Sequence, residues 1–190
     1  MPIDTDSQTS LDIFSNDQDH SERGSLFWLL DNCKTAFGKR QLRRWVSRPL
    51  TDIKALQERL DCVTEIVEST DYHLGKLRGL LSGLPDLERG LARVHYGRCT
   101  PPELFKVLSA FLRISSDFKE AEAAGFESPL LNQAIAAFPT IKSKIVELLG
   151  EVDQKAAKEG NKENLFKTET FPELDDAKDV GRGGSSFPRG

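Results

Sequence analysis

The chain has 190 residues, of which 38% are hydrophobic and 29% are charged, and its formal net charge is −4. This length supports one hydrophobic core, and the negative charge excludes a general binder of polyanions. Three widely spaced cysteines exclude a disulfide framework and a CxxC zinc site, and they fit a reducing compartment. The chain has no apolar run of about eighteen residues and no cleavable signal pattern. We therefore predict a soluble intracellular protein with no membrane partner.

The first 23 residues carry six acids and few groups that would pack. We predict mostly coil over residues 1–23, with a short extended piece at 11–14. A helical domain is predicted over 24–160. Residues 161–190 have little periodicity and predict an irregular tail, in which the glycine-rich end from about residue 181 is expected to be disordered.

Residues 24–50, GSLFWLLDNCKTAFGKRQLRRWVSRPL, predict two short helices on either side of a break at 32–35. The second helix has an apolar side formed by Leu42, Trp45 and Val46. Its opposite side is cationic and consists of Lys39, Arg40, Arg43, Arg44 and Arg48. Residues 32–51 hold six Lys or Arg and no acid. This cationic face is the candidate site of the chain.

Two interpretations of the cationic face are open at this stage. The five cations pair with acids elsewhere in the same domain or face water, as charged helix surfaces commonly do. Alternatively, they form an inter-domain or DNA-proximal contact face, because guanidinium groups offer forked donors to carboxylates and phosphates. Arginine outnumbers lysine by four to two in this stretch, which favours fixed ion pairs.

Apolar spacing then predicts further helices at 53–69, 71–83, 85–97, 100–122, 128–138 and 140–158. A capping box opens the helix at residue 100, and its wide apolar face predicts that it is central. Pro139 is expected to break or kink the line of the last two helices. Two apolar stripes are predicted to be buried. The stripe on the helix at 53–69 consists of Ile53, Leu56, Leu60, Val63 and Val67. The stripe on the helix at 85–97 consists of Leu87, Leu91 and Val94. No stretch alternates with period two, so the predicted fold class is all-α, a multi-helix domain.

Motifs of catalysis and nucleotide binding are missing. A P-loop is excluded because Cys33 stands where its first glycine is required and Arg40 stands where its hydroxyl is required. The chain contains no GxSxG or HExxH motif. His95 and Cys99 are only two ligands and do not make a metal site. We predict no catalytic, cofactor-binding or metal-ligating residue in this chain, and hence no enzyme.

The segment at 24–50 resembles the opening of the core, or lever, domain of MutS-family DNA mismatch repair proteins. The family pattern GSL-x-x-x-LD-x-x-x-T-x-x-G-x-R-x-L-x-x-W-x-x-x-PL is matched here by GSLFWLLDNCKTAFGKRQLRRWVSRPL. The later segments ERLDCVTEIV and LPDLERGLARV resemble the next helices of the family, in the same order. YGRCTPPEL and DQKAAKEGNKENLFKTETFPEL resemble the MutS homolog 3 subgroup. The resemblance covers roughly residues 10–180.

The resemblance implies a full-length relative that binds mismatched or insertion–deletion-loop DNA, uses ATP and Mg, pairs with a MutS homolog 2-like heterodimer mate and is nuclear. This chain would supply only the structural part that links the DNA-binding and ATPase domains. After residue 180 the family continues with a helical lever, whereas this chain has GRGGSSFPRG, so we expect a truncated or mispredicted gene product. The alternatives are a stand-alone nucleic-acid-binding module that uses the cationic face, and a fragment that competes for the heterodimer mate.

Overall fold

The computed structural model describes residues 3, 5–70, 72–118 and 125–167. The helices in these residues are α1 (Thr5–Ser10), α2 (Leu26–Leu30), α3 (Ala36–Ser47), α4 (Ile53–Glu68), α5 (Tyr72–Leu81), α6 (Leu87–His95), α7 (Pro101–Asp117), α8 (Pro129–Glu151) and α9 (Gln154–Glu159). The described residues contain no β-strand, and one isolated bridge joins Val152 to Phe166. The prediction of an all-α fold is therefore confirmed.

Helix α7 is the centre of the fold, as its wide apolar face predicts. Its first turn is closed by Glu103, whose Oε2 accepts the Thr100 N–H at 3.2 Å. The helix packs on α6, α8 and α9. Its Val107 and Ile114 belong to the main core, which also draws on α5, α6 and α8. Residues 119–124, into which α7 was predicted to continue, lie outside the described residues.

The predicted helix over 140–158 is wrong in its bounds. Helix α8 runs without a break through Pro139 and ends at Glu151, and α9 begins only at Gln154. Val152 lies between them and is buried, at 2% exposure, in a second core cluster with Leu108. The chain leaves the helix here because its backbone bonds to residues 165–167 instead: the Asp153 N–H donates to the Leu165 carbonyl at 2.8 Å.

The first residues of the predicted irregular tail, up to residue 167, therefore pack against the helical domain. Leu165 is buried in the second core cluster and Phe166 packs against it. The Lys167 N–H donates to the Glu151 carbonyl at 2.9 Å, which fixes this segment to the end of α8. Residues 168–190, with the disorder expected from about 181, lie outside the described residues.

Helix α4 has the predicted bounds but turns a different face to the body of the domain. The stripe predicted to be buried is exposed, with Ile53 at 83%, Leu60 at 52% and Val67 at 76%. The half-buried residues of this helix recur at spacings of three and four on another side and are Ala55, Arg59, Cys62 and Glu65. The prediction of a buried stripe is therefore wrong, because small and polar side chains of α4 make its contact with α8.

Helix α6 also departs from its predicted packing. It begins at Leu87 rather than Pro85, because Asp86 is the N-cap residue and accepts the Arg89 N–H at 3.2 Å. Leu87 is buried as predicted. Leu91 and Val94 are not, since 50% and 39% of their surfaces are exposed. Only the first apolar residue of this stripe therefore reaches the core.

The N-terminal segment contains one helix, α1, in a region predicted as mostly coil. The segment at 11–14 is a turn rather than the predicted extended piece, with Asp12 at a φ of 48° and Leu11 67% exposed. Ile13 is buried at 3% exposure, and its carbonyl accepts the Phe27 N–H at 2.9 Å. Phe14 lies 5.6 Å from Phe27, centroid to centroid. These contacts attach the start of the chain to α2.

Candidate inter-domain cationic face

The candidate site lies on α3, which begins directly after the predicted break at 32–35. Thr35 is the N-cap residue, and its Oγ1 accepts the Gly38 N–H at 3.0 Å. The five cations of the predicted face follow along the helix and its C-cap, Arg48. No residue of α3 is buried, so this helix is held by its side chains at the surface of the domain.

Lys39 is paired with two acids of its own chain. Its Nζ lies 2.9 Å from Glu22 Oε1 and 2.7 Å from Asp31 Oδ2. The hydrogen bond to Asp31 is the largest contribution that raises the pKa of Lys39, and the same bond lowers the pKa of Asp31. The ammonium also lies 5.3 Å from the centroid of the buried Phe27 ring. This cation is therefore already neutralised within the domain.

Arg40 connects α3 to the start of α6. Its Nη1 and Nη2 donate to the two carboxylate oxygens of Asp86 at 2.7 and 2.6 Å, and its Nε donates to Glu88 Oε2 at 2.8 Å. Hydrogen bonds from Arg40 lower the pKa of Asp86 from 3.8 to about 2, and they also lower the pKa of Glu88. The forked geometry of guanidinium on carboxylate makes this an oriented contact rather than a loose surface pair.

The remaining three cations are less fully engaged. Arg44 Nη2 lies 3.2 Å from Glu88 Oε1, although 64% of the Arg44 side chain is exposed. The Arg43 guanidinium stacks over two aromatic rings, 4.2 Å from the centroid of Phe14 and 5.4 Å from that of Phe27. Arg48 is exposed and makes no ion pair with any described residue. Four of the five predicted residues thus contact acids or rings of this chain.

The apolar side of α3 covers less of the core than the sequence pattern indicates. Leu42 and Val46 are only half-buried, and 43% of Trp45 is exposed. Arg59 of α4 stacks over the Trp45 ring at 4.1 Å. Phe37 of α3 packs against the main core, so this apolar contact holds the helix together with its ion pairs.

The structure brings the cations together with partners that the sequence pattern did not identify. Asp86 and Glu88 lie at the start of α6, 46 and 48 positions from Arg40, and helical spacing within α3 does not indicate them. Glu22, Asp31 and Phe14 were not singled out. The interpretation as an inter-domain or DNA-proximal face stays a prediction, but the positive charge left for it, outside any ion pair of the described residues, is mainly that of Arg43 and Arg48.

Other chemistry is sparse in the part of the chain that the structure describes. No group of three or more His, Cys, Asp or Glu side chains in these residues is arranged to hold a metal ion. Cys33 and Cys99 are free thiols, and burial raises the pKa of each, which disfavours the reactive thiolate. None of the described helices is both long enough and apolar enough to cross a membrane.

Comparison with known proteins identifies the family. The model of MutS domain III matches residues 6–177. Proteins named "DNA mismatch repair protein MSH3" from Cryptococcus neoformans and Mycosarcoma maydis are each 43% identical to this chain, over 180 and 182 residues. The protein of the same name from Pyricularia oryzae is 40% identical over 184 residues. Each alignment covers 94% of this chain but only 15% or 16% of the relative.

The helical domain built around α7 therefore belongs to the MutS family of mismatch repair proteins, as its domain III. Within the family the chain is similar to MSH3, so the resemblance to the MutS homolog 3 subgroup is confirmed. The chain spans about one-sixth of the length of the curated relatives, as the 15–16% coverage shows.

Proposed function

We propose that this chain is the structural core, or lever, part of an MSH3-like mismatch repair protein and that it performs no catalysis itself. It would link domains that bind mismatched or insertion–deletion-loop DNA to domains that use ATP. Stiff packed helices suit this role, because they transmit a displacement between two distant sites.

The observation that carries this proposal is the exposed apolar stripe of α4. Ile53, Leu60 and Val67 are each more than half exposed, and Leu56 and Val63 complete the row at 45% and 55%. A row of this kind on one helix is a typical surface for contact with another protein element. The relatives are about six times longer than their match to this chain and therefore have other domains for such contacts.

The alternative of a stand-alone nucleic-acid-binding module is not favoured. Lys39, Arg40 and Arg44 are engaged by four acids of the chain, which removes most of the local positive charge. Phosphate contacts depend on free cations, and the chain as a whole carries a net charge of −4.

The partners and location of the whole protein are part of the proposal. We infer mismatched double-stranded DNA, ATP with Mg and a MutS homolog 2-like heterodimer mate as its ligands and partner, in the nucleus. The names of the relatives support DNA mismatch repair as the process. The third possibility, a fragment that competes for the heterodimer mate, predicts that the isolated chain co-purifies with that mate.

The test is a chimera in which residues 6–177 of this chain replace the matching segment of the Cryptococcus neoformans MSH3. We expect the chimera to restore correction of insertion–deletion loops in cells that lack their own MSH3. A chimera that accumulates normally and restores no repair would contradict the proposal.

A pair of matched variants tests the role of α4. Leu60→Ser with Val63→Ser removes part of the exposed stripe. Lys54→Ser with Glu58→Ser alters the polar side of the same helix without changing net charge. We expect the first double variant to impair repair in the chimera and the second to preserve it. Equal repair by both would show that the stripe is not a contact surface.

A further inference from the structure

A groove on the outer side of α7 has the features of a second contact surface, away from α3. It lies between α7 and the loop that follows α5, and its volume is about 490 Å³. Its floor is apolar and consists of Leu84, Pro85, Phe105 and Ala110. This volume is within the range of sites that accept a small ligand or a few side chains of a peptide. We call it the α7 groove.

Two cations stand on the rim of the α7 groove. Lys106 and Arg113 are both exposed and are seven positions apart on α7, so their Cα atoms are separated by about 10 Å along the helix. Neither makes an ion pair with any described residue. The acid nearest in sequence to Lys106, Glu103, is paired with Arg93 at 2.9 Å and closes the first turn of the helix. The charge of Lys106 contributes to the lowered pKa of Glu103, but no ion pair of the described residues occupies either cation of the rim.

This situation differs from that of α3. There Lys39 and Arg40 each contact two carboxylates of the chain, and the charge is satisfied internally. At the α7 groove, the side chains of Lys106 and Arg113 flank apolar side chains. This surface is complementary to an acidic peptide segment that also carries apolar side chains. A nucleic-acid backbone would fit less well, because it has no apolar side chains to cover Leu84 and Phe105.

We propose that the α7 groove binds an acidic peptide segment of a partner protein, with carboxylates at Lys106 and Arg113 and an apolar side chain on the floor between them. Carboxylates about 10 Å apart would reach both cations, and the apolar residue would gain affinity by leaving water. This site does not involve the cationic face of α3, and it is independent of the role proposed for α4.

The experiment measures binding of a fluorescein-labelled peptide, in which Glu and Asp alternate with Leu and Phe, to the full chain by fluorescence anisotropy. The reference peptide has Gln and Asn in place of Glu and Asp. We expect the acidic peptide to bind at least about 10-fold more tightly than the reference peptide, and less tightly as salt rises from about 50 to 200 mM.

Two variants of the protein localise the site. Lys106→Glu with Arg113→Glu is expected to weaken binding of the acidic peptide at least about 10-fold. The matched control is Lys155→Glu with Lys162→Glu, which makes the same change of net charge at exposed positions outside the groove. The control is expected to retain most of the affinity. Equal weakening by both pairs would indicate general charge attraction and overturn the proposal.

A third variant tests the apolar floor without changing charge. Ser109 lines the groove and is half-buried, so Ser109→Trp would fill the space beside Ala110. We expect the folded variant, verified by its helical circular dichroism, to lose peptide binding. Unchanged binding, or no measurable binding of the acidic peptide to the unaltered chain at millimolar concentration, would overturn the proposal.

Discussion

Arg40 and Asp86 are 46 positions apart in the chain and meet through two parallel hydrogen bonds of 2.7 and 2.6 Å. Asp86 is at the same time the N-cap residue of α6. One carboxylate therefore fixes the start of a helix and attaches a second helix to it. Because α3 has no fully buried residue, this contact and the packing of Phe37 against the main core position the helix on the domain.

Substitution of Asp86 separates its two roles. Asp86→Asn keeps a good N-cap but loses the charged partner of Arg40, so we expect the free energy of unfolding to fall by less than about 1 kcal/mol for this partly exposed pair. Asp86→Ala removes the cap as well and should cost about 1 kcal/mol more. Urea denaturation measures both. The control is Asp153, which caps α9 and forms no ion pair with any described residue. Asp153→Asn should be nearly neutral, and a loss equal to that of Asp86→Asn would contradict this account.

We expect the free energy of unfolding of the domain to fall within a defined range of acidic pH. The pKa of Asp86 is lowered from 3.8 to about 2 in the folded chain. The folded state therefore binds fewer protons than the unfolded state, and the stability from this group is fully present above about pH 4 and lost as the pH falls towards 2. The lowered pKa values of Asp31, Glu88 and Glu103 act with the same sign. We expect Asp86→Asn to lose less stability than the unaltered chain between pH 4 and 2, measured by thermal unfolding. Identical pH profiles would contradict this expectation.

The starts of several helices could be predicted from the sequence, whereas the orientation of the helices could not. Asp52 and Ser128 are N-caps, and such local signals need no knowledge of the rest of the fold. The face of α4 that packs is decided by distant residues. Its larger apolar stripe, with Leu60, was expected to be inside, but the domain uses the side with Cys62 and Glu65. The end of α8 at Glu151 was missed for the same reason, because residues 165–167 compete for its backbone.

At the candidate site, too, the local pattern could be predicted from the sequence and the distant contacts could not. The cationic face of α3 follows from helical spacing alone. The preference for arginine favoured fixed ion pairs, which Arg40 and Arg44 form, whereas Arg43 stacks on aromatic rings. Its partners did not follow, because Asp86 lies 46 positions from Arg40 and Glu22 lies 17 positions from Lys39. The spacing of residues along the sequence shows which side chains share one face of one helix. An ion pair between two helices also depends on how those helices are placed relative to each other, which spacing does not show.

Gly90 is the position where the packing of α6 on α7 is tightest. A Cβ atom at this position would lie 2.5 Å from Val107 Cγ2, and Val107 is buried and stiff because it is β-branched. We expect Gly90→Ala to lower the free energy of unfolding by about 1–3 kcal/mol, despite the higher helix propensity of alanine. Chemical denaturation gives the value.

Gly79 of α5 is the matched control for Gly90. A Cβ atom there would meet nothing within 4 Å. Gly79→Ala should therefore stabilise the domain, by up to about 1 kcal/mol. Adding Val107→Ala to Gly90→Ala should make the effect of the glycine substitution smaller than in the unaltered background. Stabilisation by Gly90→Ala, equal to that by Gly79→Ala, would show that the close contact with Val107 does not exist.

Glu65 joins α4 to the beginning of α8. Its two carboxylate oxygens accept the backbone N–H groups of Glu127 and Ser128, each at 2.7 Å. Glu65→Gln replaces one accepting oxygen by an amide NH₂, which cannot accept either N–H, so we expect unfolding to be easier by about 1–3 kcal/mol. Glu68→Gln, an exposed position on the same helix, makes the same charge change and should shift stability by less than about 0.5 kcal/mol. Amide hydrogen exchange at residues 127 and 128 would locate the effect: their protection should fall in Glu65→Gln and remain in Glu68→Gln. Unchanged protection in Glu65→Gln would mean that α8 is held at its N-terminus by Ser128 alone, whose Oγ accepts the Leu131 N–H at 3.3 Å.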